Sequence, residues 1–465
     1  MAFLMACFNR RAFATLLAAA CFSSPALAFD KTAPTAVSAA ARPAEPRTLQ
    51  FALQNGMQVL VVPDHRAPVV TQMLWYRVGA VDDPPGQSGL AHFFEHMMFR
   101  GTPTVPADQF AKTVARNGGQ TNAFTTEDYT AFYEQIAKDR LRTVMGLEAD
   151  RMANLDLSDK SVRTERDVVL EERRMRVDND PQSLLQEQLE AALHLSHPYG
   201  RPVIGWPGEI AHIGRVEAQD FYTHHYAPNN AILVVAGDVT PAQVRADAEA
   251  EYGKLPAREL MPRADYTQPP RLGETRLTIL RKDVKLPLFE RIYRVVSYTE
   301  AKPGEAEALD VLAQLMGGDA TGILYRRLVV EKKLAADAGV SYDGYRRDSG
   351  SFMIYAVPRP GVRLDTLEQA TDAVIRGFQN APPNPADLAR ARTQLVADAT
   401  YQRDSGFAQA SAYGRALVIG LTVDDVSEWP TRIAAVTGAA VRKVAMSALV
   451  KTEAVTGYLK PEAGK

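Results

Sequence analysis

The sequence GLAHFFEHMMFRGT, residues 89 to 102, contains two histidines separated by three residues, with a glutamate directly before the second. These residues are His92, Glu95 and His96, and the whole chain has only eight histidines. Residues four apart lie on one face of an α-helix, so both imidazoles can face one point while Glu95 flanks it. Two neutral imidazoles suit Zn²⁺, and a catalytic zinc site takes three protein ligands and keeps one position open. The stretch therefore predicts a helical metal site that needs a third ligand from elsewhere.

The third ligand is predicted in TERDVVLEERRMRVD, residues 164 to 178. Helical spacing places Glu165 and Glu172 on one partly apolar side, which is unusual for a solvated helix. We expect Glu172 to face the metal and Glu165 to hydrogen-bond a ligand or the water. Glu95 then serves as general base: it takes a proton from a zinc-bound water, whose pKa the ion lowers to about 7, and passes it to the leaving amine. The predicted reaction is amide hydrolysis. The alternative is that His92 and His96 are ordinary core or surface residues that bind no metal.

The N-terminus has the features of a secretory leader. Arg10 and Arg11 precede a short apolar run, and small residues stand where a signal peptidase would cut, after Ala28. We predict a periplasmic protein. A membrane anchor is disfavoured because the run is well short of the roughly 20 residues that span a bilayer. A lipoprotein leader ending at Cys21 is the lesser alternative, because Ala18 stands where a branched apolar residue is usual. Both cysteines of the chain lie in this leader, so the mature protein would have no disulfide and no thiolate ligand.

Length and charge favour a protein of several domains without a nucleic-acid partner. A chain of 465 residues is too long to fold around a single compact core. Its 53 basic residues nearly balance its 55 acidic ones. After the leader, no segment is long and apolar enough to span a membrane. All the histidines lie at or before His225, so histidine chemistry belongs to the first half. The predicted order is a signal peptide at 1–28, a linker at 29–46, an N-terminal zinc-bearing peptidase domain at 47–253, a proline-rich linker at 254–275 and a homologous C-terminal domain without a metal site at 276–460.

The two halves are predicted to share one order of strands and helices. The first half has a hairpin turning at Asn55-Gly56, further strands, a helix ended by a glycine pair, and one strand over residues 121–136. The second half repeats strand and helix in outline, and two copies of a unit of roughly 200 residues would explain the length. The predicted fold class is α+β: two homologous α/β-sandwich domains, each an antiparallel-rich sheet with helices packed on one face.

Together with its neighbouring motifs, the histidine stretch resembles a known peptidase family. HFFEH is the inverted zinc signature His-x-x-Glu-His. With NGGQTNAFTTEDYTAFY, ERDVVLEE, HPYGRPVIGWPGEI and YAPNNAILVVAGDV, it resembles the pitrilysin/insulinase and mitochondrial-processing-peptidase family, above all its short bacterial members with two domains per chain. The resemblance covers residues 47 to 460. It implies one zinc held by His92, His96 and Glu172, with Glu95 as catalytic base and Glu165 in support.

The resemblance also bears on substrate and partner. It implies that the strand containing Asn122 and Ala123 pairs with an extended peptide, while the alternative for these residues is a plain core position. Many members carry an Arg and, seven residues later, a Tyr in the second half; here Val329 and Ala336 stand at those positions. Because short members act as paired chains around a chamber, we predict a homo- or heterodimer in which a related subunit supplies the Arg and Tyr. The alternatives are a non-catalytic structural subunit of a larger complex and a different metal-dependent hydrolase.

Overall fold

The structure is a computed structural model and describes residues 48–462. The predicted signal peptide, its cleavage site and the linker at 29–46 lie outside the described residues. The strands are β1 Leu49–Ala52, β2 Gln58–Pro63, β3 Val69–Tyr76, β4 Gln120–Thr125, β5 Thr130–Ala137, β6 Ala231–Gly237, β7 Thr275–Arg281, β8 Leu288–Val295, β9 Ala335–Asp343, β10 Gly350–Pro358 and β11 Ala454–Pro461.

Helices connect and cover these strands. They are α1 Leu90–Met97, α2 Gln109–Arg116, α3 Leu141–Asn154, α4 Asp159–Arg173, α5 Pro181–Leu193, α6 Pro207–Ile210, α7 Arg215–His225, α8 Pro241–Glu251, α9 Glu305–Gly317, α10 Ile323–Tyr325, α11 Leu364–Asn380, α12 Pro385–Gln402, α13 Gly406–Val418, α14 Val423–Ser427, α15 Trp429–Ala435 and α16 Gly438–Ala448. Two π-helical turns, Arg174–Asp178 and Arg326–Glu331, directly follow α4 and α10. Within residues 48–462, no helix combines the length and apolar character needed to cross a membrane.

The strands form two sheets with the same topology. The first has the order β1-β2-β6-β3-β5-β4 and the second β7-β11-β8-β10-β9. Leaving out β1, both sheets place the strands of their half in the order first, fifth, second, fourth, third. In each sheet the first and fifth strands are parallel and the other pairs antiparallel. The repeat of one α/β unit and the α+β class are therefore confirmed.

In each sheet, one face is covered by a helix that comes from the other half of the chain. Helix α13, from the second half, packs on β3 and β6 around Trp75, with Gly414 at the closest approach. Helix α5, from the first half, packs on β11 and β8 through Leu185 and Leu189, against Gly457. Small glycines let helix and sheet approach closely at both places. The two halves therefore share apolar cores across the predicted boundary at 254–275.

The hairpin prediction is confirmed, and the prediction of a single strand over residues 121–136 is wrong. β1 and β2 are antiparallel and turn at Gly56, whose φ of +89° suits glycine. Between β4 and β5 the chain reverses at residues 126–129. The Thr126 hydroxyl accepts the backbone N–H groups of Asp128 and Tyr129, both at 3.2 Å. Such a threonine turn competes with a continuous strand, because the Thr126 side chain bonds backbone N–H groups that would otherwise pair with a neighbouring strand.

Candidate metal centre

The start of α1 is fixed by a buried carboxylate rather than by its own capping residue. Gly89 precedes the helix with a φ of +94°, and a Cβ there would lie 2.6 Å from the Ile204 carbonyl oxygen. Asp83 accepts the N–H groups of Gly89 at 2.7 Å and Ala91 at 2.9 Å, which would otherwise be buried without partners. Burial raises the pKa of Asp83 to about 8, and these two hydrogen bonds oppose the shift. Asp83 thereby sets where the helix begins and hence where its histidines lie.

The two histidines of α1 meet a glutamate of α4. Glu172 Oε2 lies 3.0 Å from His96 Nε2 and 3.7 Å from His92 Nε2. One ligand atom from each of these residues lies within 4.8 Å of the others, and residues 48–462 contain no other such cluster of histidine, cysteine or carboxylate side chains. The Glu172 Oε2 atom is buried and receives no well-oriented hydrogen bond. A buried, unsatisfied carboxylate oxygen facing two imidazoles fits a divalent cation of the zinc type.

The protonation states support metal binding at two of the three groups. Burial lowers the pKa of His92 to about 3, so its imidazole is neutral and its lone pair is available. Burial raises the pKa of Glu172, but the hydrogen bond to His96 and the positive charges of His96 and Arg176 outweigh it and bring the pKa down to about 2. Burial also lowers the pKa of His96, yet the carboxylates of Glu165 and Glu172 raise it to about 9. A metal ion must therefore displace a proton from His96.

Glu165 holds His96 from the side away from Glu172. Its Oε1 lies 2.9 Å from His96 Nδ1, and its Oε2 accepts a hydrogen bond from Arg100 Nε. Burial raises the pKa of Glu165, but its bonds to His96 and Arg100 win and lower it. With Nδ1–H directed at Glu165, the ring presents Nε2 to the cluster. The structure places Glu165 in contact with His96, and its supporting role stays a prediction.

Glu95 lies beside the cluster and is held by a residue that sequence reasoning missed. The Thr125 hydroxyl donates to Glu95 Oε2 at 2.7 Å. Burial raises the pKa of Glu95, and this hydrogen bond partly opposes it. The contact leaves Oε1 as the oxygen able to accept another proton. Thr125 lies thirty residues from Glu95 at the end of β4, and no local spacing pattern points to it.

The predicted peptide-binding residues lie on an exposed edge. Within residues 48–462, β4 is the last strand of its sheet, so no strand there pairs with its outer backbone groups. Asn122 is exposed, and its Oδ1 accepts the N–H of Ala123 at 2.9 Å. An extended peptide could add to this edge once the Asn122 side chain turns away.

The positions predicted to lack an Arg and a Tyr lie in the second half. Val329 is buried in the π-helical turn after α10, and Ala336 is exposed on the edge strand β9. Neither side chain can donate a hydrogen bond.

Comparison with known proteins identifies the family. Residues 58–206 match the insulinase model of peptidase family M16, and residues 212–395 match the model of the M16 inactive domain. The chain belongs to peptidase family M16. The zinc protease PqqE of Helicobacter pylori is 28% identical over 421 residues, which cover 90% of this chain and 93% of that protein. The uncharacterized zinc protease Rv2782c of Mycobacterium tuberculosis is 32% identical over 306 residues, 65% of this chain and 68% of that protein.

The M16 fold is also seen in solved structures. The crystal structure of a protease from Helicobacter pylori superimposes with a TM-score of 0.84 at 27% identity, covering 90% of this chain and all of that one. The metal cluster lies wholly within the part of the chain that matches the insulinase model. A zinc protease of two M16 domains is therefore supported by sequence, fold and relatives together.

Proposed function

We propose that the chain is an exported zinc endopeptidase that hydrolyses peptides or unfolded polypeptide segments. The observation that carries this proposal is the convergence of His92 Nε2, His96 Nε2 and Glu172 Oε2, with the Glu95 carboxylate alongside. The sequence of the leader supports export to the periplasm, and the single cluster supports one zinc ion per chain.

A zinc ion held by His92, His96 and Glu172 would activate a water molecule and polarise the scissile carbonyl. Glu95 takes the proton of the attacking water at Oε1, because Thr125 occupies its Oε2. Burial raises the proton affinity of Glu95, which suits a group that must accept a proton and then release it to the leaving nitrogen. Asp83 and Glu165 keep the helix and the His96 ring in position throughout.

The substrate is an extended peptide that adds to β4. The free edge of β4 offers backbone hydrogen bonds, and Thr125 at its end contacts the base directly, so a peptide paired with β4 passes beside Glu95. Binding requires Asn122 to release the Ala123 N–H.

A second chain completes the enzyme. Val329 and Ala336 give this chain no donor at the two positions of the second half that usually grip the substrate carbonyl. The proposed assembly is a homo- or heterodimer in which a related M16-type subunit supplies the Arg and Tyr.

Hydrolysis of a quenched fluorescent peptide by the mature chain, with zinc quantified in the same sample, tests the proposal. The expected result is about one zinc per chain and turnover that rises when a related periplasmic subunit is added. Full turnover by the isolated chain would remove the need for the partner. Absence of bound zinc and of turnover, with or without the partner, would favour a structural subunit instead.

A further inference from the structure

Three arginines, Arg173, Arg174 and Arg176, lie at the end of α4 and in the π-helical turn that follows it, and each has a different environment. Arg173 is buried and bonds Glu187 at 2.7 Å and the Gly205 carbonyl at 2.9 Å. Arg174 is exposed and pairs with Glu171 at 2.6 Å. Arg176 is the one that turns toward the metal cluster. Arg173 is held inside the protein, and Arg174 pairs with Glu171 and not with a residue of the metal cluster.

Arg176 contacts the carboxylate that faces the histidines. Its Nη1 lies 2.8 Å from Glu172 Oε1, while the other oxygen of Glu172 faces His92 and His96. Its positive charge also contributes to the lowered pKa of His92. The guanidinium is therefore at the rim of the proposed catalytic centre.

More than half of the Arg176 side chain is open to solvent. Its side chain is 58% exposed, and within residues 48–462 it has no ion-pair partner besides Glu172. Guanidinium groups have five N–H donors, so several remain available. Arg100, the other guanidinium at the site, is engaged by Glu165.

The backbone at Arg176 is also irregular. Residues Arg174–Asp178 form a π-helical turn that continues α4. Such turns are rare and are frequent at functional sites. Arg176 follows Glu172 by four residues, the spacing at which helical side chains meet, so the exposed cation lies next to the metal-facing carboxylate.

We propose that Arg176 is a substrate-binding residue that selects peptides with an aspartate or glutamate side chain near the cleaved bond. This inference rests on the proposed peptidase function. A planar guanidinium binds a carboxylate through two parallel hydrogen bonds, a geometry that an amide side chain cannot match.

Paired peptides that differ only by Glu or Gln, placed in turn at each position flanking the cleaved bond, test the proposal in the active form of the enzyme. The expected result is a preference for Glu of about 5- to 10-fold in kcat/KM at one position or more, modest because water screens an exposed charge. Arg176→Ala should reduce the ratio to about one, and Arg176→Lys should retain part of it. Arg174→Ala is the matched control and should leave the ratio unchanged.

The ratio compares two peptides on one enzyme, so a change in zinc content cancels. An unchanged Glu/Gln ratio in Arg176→Ala, or no preference in the wild type, would overturn the proposal. If Arg176→Ala has no turnover, peptide binding is measured instead by fluorescence anisotropy of the labelled Glu and Gln peptides. The two proteins compared are Glu95→Gln and the double variant Glu95→Gln, Arg176→Ala. Tighter binding of the Glu peptide only when Arg176 is present supports the role, and equal binding refutes it. Absence of cleavage of every peptide by the wild type would instead count against the peptidase function.

Discussion

Replacing Glu165 with glutamine should weaken zinc binding about 10- to 100-fold. Glu165 is 3% exposed and uses one oxygen for His96 Nδ1 and the other for Arg100 Nε. Glutamine has only one acceptor oxygen, and its NH₂ group would face one of the two donors. The loss of one hydrogen bond to a charged group costs about 1.5–3 kcal/mol, and each 1.4 kcal/mol is about tenfold in affinity. Outer partners of metal-binding histidines have effects of about this size.

The assay is competition for zinc with a fluorescent chelator, under zinc buffering, at pH 7 and pH 9. Protonated His96 competes with zinc below its pKa of about 9, and the Glu165 carboxylate helps to hold that proton. In the Glu165→Gln variant His96 holds this proton less tightly, so at pH 7 less of the zinc-binding energy is spent on displacing it. The loss of zinc affinity relative to wild type should therefore be larger at pH 9 than at pH 7. Glu171→Gln is the matched control, because Glu171 lies on the same helix but is exposed and pairs only with Arg174. Equal zinc affinity of Glu165→Gln and wild type at pH 9 would refute the reasoning.

Three further predictions concern the fold around the site. Asp83→Asn removes one of the two acceptor oxygens at the start of α1. It should lower the free energy of unfolding by about 2 kcal/mol in urea titrations and also weaken zinc binding. Unchanged zinc affinity would contradict the role of Asp83 in anchoring the helix. Gly414→Ala places a Cβ 2.1 Å from the Trp75 ring and should destabilise the protein by about 1–3 kcal/mol. Gly377→Ala, with open space around it, should be neutral or stabilising. Equal melting temperatures of the two variants would contradict the packing. Burial raises the pKa of Asp310 from 3.8 to about 7 against hydrogen bonds from a tyrosine and a tryptophan, so the folded protein keeps this proton longer than the unfolded chain. Relative to Asp310→Asn, wild type should therefore lose stability as pH rises from about 4 to 7, by at most about 1.4 kcal/mol per pH unit; parallel pH profiles would contradict this.

The metal cluster could be predicted from the sequence because its geometry is local. The His92 and His96 pair depends only on helical spacing, and the glutamates of α4 follow the same rule. Helical spacing also led to Glu172 as the third ligand, and the family resemblance then implied the same residue. Asn55-Gly56 was equally informative, because a turn residue pair acts within a few residues.

Other features depend on contacts between distant parts of the chain and left no local pattern. Thr125 lies at the end of a strand and bonds Glu95 only after the sheet has formed. Asp83 anchors α1 across a loop. The exchange of α5 and α13 between the two sheets was also missed, because apolar stripes of helices do not specify which sheet they cover. The turn at Thr126 was missed because threonine also favours strands.

The proposed peptidase activity depends on Glu95 as the base of a zinc site formed by His92, His96 and Glu172. The most direct test is peptide hydrolysis by Glu95→Gln beside wild type, with zinc measured in both samples. We predict about one zinc per chain in each and a loss of turnover of at least about 100-fold in the variant. Hydrolysis retained by a zinc-loaded Glu95→Gln protein would contradict the account.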